Sequence, residues 1–385
     1  MIYYQKVNNK TYFYQDQFVQ SLPEGDKATW FFDNIDMDSF YVQSVANQKV
    51  EDYLPYMELG EWSKINNKFI SQKKALKTCN IHDEDMLSLL PESLVKEYYS
   101  FLNKATESFV KTNKVNSFNM HVSRVACLIE KIKTQRVRAN FNNLTDAEEK
   151  NPRNKRILRK IKEGRRIIDY DVLGSKTGRL TNKSDSIPIL TLKKELRSII
   201  QPQNDLFAEF DYNAAEARVL LALCGVEQPE DDIHDWNIQN VFRGLGTREE
   251  AKVRLFSWLY NPNSDDHLLN RAYDRKRVLK EYYDGKVVKN IFGREIESDD
   301  FHALNYLIQS TCADLVLEQA VKLDNFLNGR KSKIAFIIHD SIVVDITKED
   351  FNMMTAMLNC FADTRLGKFK VNISGGKTFG DMRKI

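Results

Sequence analysis

Apolar residues recur at helical spacing from Pro91 to Thr112 and again from Ser117 to Ala139, where Phe118, Val122, Val125, Ile129 and Ile132 share one side of a 3.6-residue period. This predicts two long antiparallel helices that pack a core of their own. Nearer the start, YYQKV and TYFYQ are β-prone runs around an Asn-Asn-Lys turn, so a hairpin is expected near Asn8. The texture changes after residue 170. Leu206 to Asp211 reads as a strand, and Asn213 to Cys224 as a helix capped by Asn213 and stopped by Gly225. Thr247 and Glu250 form a capping box for a helix that Asn261-Pro262 ends about thirteen residues later. Ile334 to Ile338 and Ile342 to Ile346 are short apolar runs around His339-Asp340-Ser341, a tight strand-turn-strand.

At 385 residues the chain exceeds what one core usually organises, so two or three subdomains are expected. Apolar residues at 42% and charged residues at 29% exclude a disordered chain. No run of about eighteen apolar residues is present. The opening MIYYQKVNNK has neither a signal nor a transit pattern, so the expected location is cytoplasmic, with no membrane partner. Five scattered cysteines, without a CxxC pair, read as reduced core thiols. Abundant Lys, Asn and Ile fit an AT-rich genome, and the length fits a phage or mobile element.

Net charge is only +3, so nucleic-acid binding would need a local basic stripe. One runs from Arg153 to Arg166, RNKRILRKIKEGRR, with Arg136 and Arg138 before it. By composition it is either a solvated helix face or a phosphate-binding one.

Two aspartates stand in rigid surroundings. Asp211 closes an apolar strand and Asp340 sits at the tip of an apolar hairpin. If the two met at about 4 Å under an effective dielectric near 20, their repulsion would be on the order of 4 kcal/mol, so a shared cation would be needed. Mg²⁺ suits such a site, because it accepts one or two carboxylates together with substrate phosphates. Taken alone, an Asp in such a place is more often a turn or cap residue, and the pairing of the two is an inference.

Arg248, Lys252, Phe256 and Tyr260 recur every four residues, in the order cation, cation, ring, ring. A nucleoside triphosphate offers a matching order of phosphates, sugar and base, and the helix dipole favours phosphate at the cationic end. The other reading is an amphipathic helix with its rings in the core and its cations in water.

These residues, taken together, resemble family A DNA polymerases of the bacterial DNA polymerase I type. DYNAAEAR, from Asp211 to Arg218, looks like the first palm motif of that family, and Thr177-Gly178-Arg179-Leu180 like its TGRL signature. The Arg248-to-Tyr260 helix resembles the family's fingers helix. Asn305 and Gln309 in NYLIQSTCAD match the polar pair that follows, and His339-Asp340 the last palm motif. Five motifs lie in the family's order.

The resemblance implies an α+β, right-hand polymerase fold with an antiparallel-sheet palm, helical fingers and a helical thumb. Its expected parts are an accessory region (1–85), thumb (86–166), first palm part (167–231), fingers (232–309) and second palm part (310–385). It implies that Asp211 and Asp340 hold two Mg²⁺ ions, for which Mn²⁺ could substitute. One ion would lower the pKa of a primer 3′-hydroxyl and the other would stabilise charge on the leaving pyrophosphate.

Further roles follow by position. Arg248 and Lys252 would grip the triphosphate of a dNTP, Tyr260 would pack beside the nascent pair, and Phe256 would floor the deoxyribose and disfavour dideoxynucleotides. Glu216 would exclude the ribose 2′-hydroxyl, beside a plainer role as a capping-box carboxylate. Arg179, Asn305, Gln309 and His339 would meet primer-template DNA. No proofreading exonuclease is expected, since few residues precede the thumb; Asp33 and Asp36 only faintly suggest a metal pair and read as a turn cluster.

The chain also departs from the family. Ser341 stands where these polymerases usually carry Glu, Asn261 replaces a Gly, and Phe301 falls where an Arg would precede Asn305 by four. Glu209 is either a replacement carboxylate or a sheet-edge charge in water. Two rivals remain open: a relative of the single-subunit RNA polymerases, which His339-Asp340-Ser341 resembles and Glu216 opposes, and a nucleic-acid-binding homologue with reduced catalysis.

Overall fold

The computed structural model describes residues 50–79, 89–112, 117–145, 151–164, 166–184 and 186–385, and four short strands before residue 42. The turn at Asn8 and the pair Asp33 and Asp36 lie outside the described residues. The chain is an α+β protein of two compact units, Met1–Cys127 and Leu128–Ile385.

In the first unit, strands β1 (Tyr4–Lys6), β2 (Thr11–Tyr14), β3 (Gln17–Val19) and β4 (Ser39–Tyr41) form an antiparallel sheet in the order β3-β2-β1-β4. Tyr4 stands opposite Phe13, so the two N-terminal runs do pair as a hairpin. Helix α1 (Leu59–Thr78) buries Trp62, Ile65 and Phe69 at helical spacing, and α2 (Glu92–Thr112) adds Leu94, Val95, Phe101 and Leu102 to the same cluster. Tyr98 of α2 stacks on Phe69 with ring centroids 3.8 Å apart.

Helix α3 (Ser117–Lys133) buries Val122, Val125, Leu128, Ile129 and Ile132. It stops six residues short of the Ala139 that periodicity suggested. The reason is a competing ladder: the Val137 N–H donates to Arg166, and Arg138–Ala139 pairs antiparallel with Ile200–Gln201. Helix α4 (Pro152–Glu163) is amphipathic, with Leu158 and Ile161 buried and Lys155, Arg156, Arg159, Lys160 and Lys162 exposed.

The second unit is built on a five-stranded antiparallel sheet. Its strands are β5 (Leu206–Tyr212), β6 (Lys333–Ile338), β7 (Ser341–Ile346), β8 (Val371–Gly376) and β9 (Arg383–Lys384), in the order β6-β7-β5-β8-β9. Even-numbered residues of β5 turn to the core, as strand alternation requires: Ala208, Phe210 and Tyr212 are fully buried. Tyr212 stacks on Phe361 of α11 (Met354–Ala362), and its hydroxyl donates to the Phe361 carbonyl at 2.6 Å. The odd positions Glu209 and Asp211 occupy the opposite face.

The second unit also holds α5 (Ala215–Leu223), α6 (Ile233–Asn240), α7 (Arg248–Tyr260), α8 (His267–Ala272), α9 (Arg275–Tyr282) and the long α10 (Ala303–Phe326). Helix α10 packs against both α5 and α11. Among the described residues no helix is long and apolar enough to cross a membrane.

Three expectations change. Helix α5 is not capped by Asn213: its N-cap is Ala214, left-handed at φ 52°, and the Asn213 side chain is drawn away by Asp232, Arg218 and the Ile233 N–H. Glu216 therefore forms no capping box. Glu209 lies on a central strand, not at a sheet edge. All five cysteines are free, but only Cys312 is fully buried and Cys79 is exposed.

Candidate active site

Strand register brings the two aspartates together. Asp211 stands opposite Ser341 of β7 on one side and Asn372 of β8 on the other. Because Ile338 pairs with Ser341, the β6–β7 turn consists of His339 and Asp340 alone. His339 takes φ 50°, a positive value that a non-glycine residue holds only where its surroundings impose it. The Tyr212 N–H reaches the Asp340 carbonyl at 3.5 Å, so the tip of the hairpin lies over the end of β5.

Burial, then the charges of Asp340 and Glu209, push the Asp211 carboxyl up to about 7, against a smaller lowering by a hydrogen bond from Asn372. Asp340 is also pushed up, chiefly by burial, with the Glu216 charge adding to it. Two carboxylates held in this way resist ionisation unless a cation joins them. Among the described residues no group of three or more His, Cys, Asp or Glu side chains could hold a metal ion. The pair itself fits Mg²⁺, which can complete its shell with water and substrate phosphates.

Ser341, the departure noted above, donates its hydroxyl to Glu209 Oε1 at 2.9 Å. The hairpin serine is thus tied to a carboxylate on the neighbouring strand.

A second convergence links the sheet to α7. The Glu216 carboxylate accepts a hydrogen bond from the Arg179 guanidinium on one oxygen and from the Tyr260 hydroxyl on the other. Three residues far apart in sequence thus meet at one group. Burial pushes the Cys312 thiol of α10 up, the charges of Asp340 and Glu216 add to this and Arg179 opposes it, so this cluster adjoins Asp340.

Helix α7 has the capping box that Thr247 and Glu250 suggested. Phe256 and Tyr260 lie nearly parallel, with centroids 5.9 Å apart, and Phe256 meets the His234 ring edge-on. Trp258, Leu255 and Leu259 carry the helix's core contacts, while Tyr260 is 40% exposed. This disfavours the amphipathic reading in which Tyr260 is core. Lys252 is exposed. Arg248 pairs with Asp232 at 2.7 Å. Asn305 and Gln309 are half-buried on α10, and the Asn305 Oδ1 is buried without a hydrogen-bond partner. His339 is exposed beside Asp340.

Asp232, His234 and Arg294 carried no expectation from the sequence, and Arg218 entered only as the last residue of the DYNAAEAR stretch. Asp232 caps α6. Burial alone would raise its carboxyl, but hydrogen bonds from Arg248, Asn213 and the His234 N–H outweigh it and hold the group well below the usual carboxylate range. His234 is buried with its Nδ1 unpartnered, and burial, with Arg248 and Lys252 nearby, lowers its pKa despite Asp232. The capping position of Asp232 was the only local signal for either. Arg218, fully buried, donates to the Asn213, Pro229 and Asp231 carbonyls.

Arg294 pairs with Asp314 through two hydrogen bonds of 2.9 and 2.8 Å in a buried setting. Gly178, at φ 75°, lies against that guanidinium: a Cβ there would stand 2.3 Å from Arg294 Nη2. The glycine of Thr177-Gly178-Arg179-Leu180 is therefore required by this close approach, and it lets the loop present Arg179 to Glu216.

Fold and site together define an α+β protein with a sheet-borne acidic pair and a cationic, aromatic helix joined through Glu216. No family model matches this chain, and no curated protein matches it. Among solved structures, it is similar to the POL domain of Pol1 from M. smegmatis in complex with DNA primer-template and dNTP. The identity is 14%, the match covers 84% of this chain and 67% of that one, and the TM-score is 0.46.

Proposed function

We propose that this chain is a template-directed DNA polymerase that adds deoxynucleotides to a primer 3′-hydroxyl. The observation that carries the reading is the meeting of Asp211 and Asp340 across β5 and the β6–β7 turn, with Glu216 and Tyr260 connecting that pair to the Arg248–Tyr260 helix. Like-charged buried carboxylates need a cation. Asp211 and Asp340 would hold Mg²⁺, or Mn²⁺ in its place, and such ions supply activation of the primer hydroxyl and charge stabilisation on the pyrophosphate.

The remaining work falls to the protein's own groups. Arg248 and Lys252 attract the triphosphate, and phosphoryl transfer depends on such positioning and neutralisation. Phe256 and Tyr260 present stacked rings for sugar and base. Glu216, tied to Arg179 and Tyr260, would exclude a ribose hydroxyl, and that role would make the enzyme a DNA rather than an RNA polymerase. Arg179, Asn305, Gln309 and His339 are the residues proposed to meet primer-template DNA, and the exposed cations of α4 add sequence-independent, salt-sensitive phosphate contacts. On this reading, residues 1–85 are accessory, 86–166 the thumb, 167–231 and 310–385 the palm, and 232–309 the fingers.

Primer extension with deoxy- or ribonucleotides, with and without Mg²⁺, tests it. Metal-dependent extension that prefers deoxynucleotides is expected. Equal use of ribonucleotides would replace the reading with an RNA polymerase, and absence of any extension would leave a binding protein.

A further inference from the structure

The nucleotide reading gives Arg248 a phosphate to bind, yet both terminal nitrogens of its guanidinium already face carboxylates. Nη2 donates to Asp232 at 2.7 Å and Nη1 to Glu249 at 3.0 Å. The two partners are unequal. Glu249 is the next residue on the same helix and its side chain is 73% exposed, so water competes for that contact. Asp232 is 17% exposed and is fixed by three more donors: the Asn213 amide at 2.7 Å and the N–H groups of His234 and Asp235 at 2.9 and 3.3 Å.

Asn213 in turn lies one residue past β5 and two past Asp211. Its Oδ1 accepts from Arg218 and from the Ile233 N–H, and its own N–H donates to the Lys370 carbonyl. A continuous run of hydrogen bonds therefore leads from the strand of Asp211, through Asn213 and Asp232, to the first residue of α7. The carboxylate is held from the sheet side and does not follow the Arg248 side chain if that side chain turns away.

We propose that Asp232 is a positioning residue, a resting counter-ion that holds Arg248 until a nucleotide phosphate displaces it, and so sets the affinity for the triphosphate. The inference rests on the nucleotide reading of α7. An Arg fork matches carboxylate and phosphate with the same N–H pairs, so the two anions compete for one geometry. While Asp232 holds Nη2, the binding-competent fraction is reduced, and apparent affinity falls by that fraction. In return the guanidinium is kept extended and neutralised between turnovers.

The test uses the full chain on a primer-template whose primer ends in a dideoxynucleotide, with dTTP opposite a templating adenine as the probe. Equilibrium Kd is measured at low and high salt for wild type, Asp232→Asn, Asp232→Ser, and each of these combined with Arg248→Gln. Asn and Ser both keep a capping oxygen for α6 while removing the charge, so if one variant folds poorly the other carries the measurement.

Both Asp232 variants should bind dTTP roughly three- to tenfold more tightly than wild type at low salt, with a smaller gain at high salt. The gain should vanish in the Arg248→Gln background, as a double-mutant cycle for a direct competition requires. Unchanged or weaker binding by the folded Asp232 variants, or a gain that survives Arg248→Gln, overturns the proposal. Wild type that binds dTTP tightly but is insensitive to Asp232 removes this inference alone. Wild type that binds no triphosphate removes the nucleotide reading with it.

Discussion

The sheet and the helix α7 hold charge in opposite ways. On β5 and at the β6–β7 turn, carboxylates are fixed by backbone register, half-buried, and set beside other carboxylates, so the folded chain carries an unrelieved repulsion there. On α7 the cations are exposed and Arg248 is already neutralised by carboxylates of the same chain. On the proposed function, the first arrangement would recruit a cation and the second would exchange partners. A polymerase would need both, since metals must stay while nucleotides come and go.

The largest effect that sharpens this contrast is expected from Asp211→Asn. Extension should fall by roughly 10²–10³ or more, because the pair loses the charge that binds metal. The metal-free chain should melt at the same temperature or higher, since a buried like-charge pair has been relieved. Primer extension and a thermal melt without divalent ions check the two halves. Near-normal extension by this variant would remove the distinction between the two regions.

A smaller effect belongs to Glu216, which lies between them. Glu216→Ala should reduce the penalty against ribonucleotides, which is expected to be roughly tenfold to several-hundredfold in wild type, mainly by raising ribonucleotide use. The same change strips the Tyr260 hydroxyl and Arg179 of their shared acceptor. Comparison of kcat/KM for matched deoxy- and ribonucleotides separates the two consequences: loss of both substrates alike would make Glu216 a structural tie only.

A third effect is on stability against pH. An aspartate raised from its ordinary value near 3.8 to about 7 in the folded chain binds more protons folded than unfolded between those limits. Its contribution therefore favours folding at low pH and is lost as pH rises from about 4 through about 7, with a slope of at most about 1.4 kcal/mol per unit. The difference in unfolding free energy, wild type minus Asp211→Asn, should fall over that window without metal and flatten when Mg²⁺ is added. A flat difference without metal would place Asp211 in water, as exposed as the groups on α7.

Much of this molecule was legible in its residues. Short apolar runs around a turn mark β6 and β7, which are buried on both faces over most of their length, while Glu209 and Asp211 alternate with Ala208 and Phe210 on β5. The capping box of Thr247 and Glu250 marks the start of α7, because the first N–H groups of a helix need local acceptors. Those signals act within a few residues, and so does the four-residue spacing of Arg248, Lys252, Phe256 and Tyr260.

What lay beyond local range was decided only by tertiary structure. Asn213 would suit a helix cap, but Asp232, Arg218 and Ile233 compete for its side chain and win, so the helix begins two residues later behind a left-handed Ala214. Glu209 looked like an edge charge until β7 and β8 closed on either side of its strand. The sequence by itself named Asp211, Asp340 and the Arg248, Lys252, Phe256, Tyr260 set, since each sits in a recognisable local frame. Which residues touch, Arg179 and Tyr260 at Glu216, Asp232 at Arg248, Gly178 against Arg294, depended on contacts between residues 16 or more positions apart, and no local periodicity encodes such pairings.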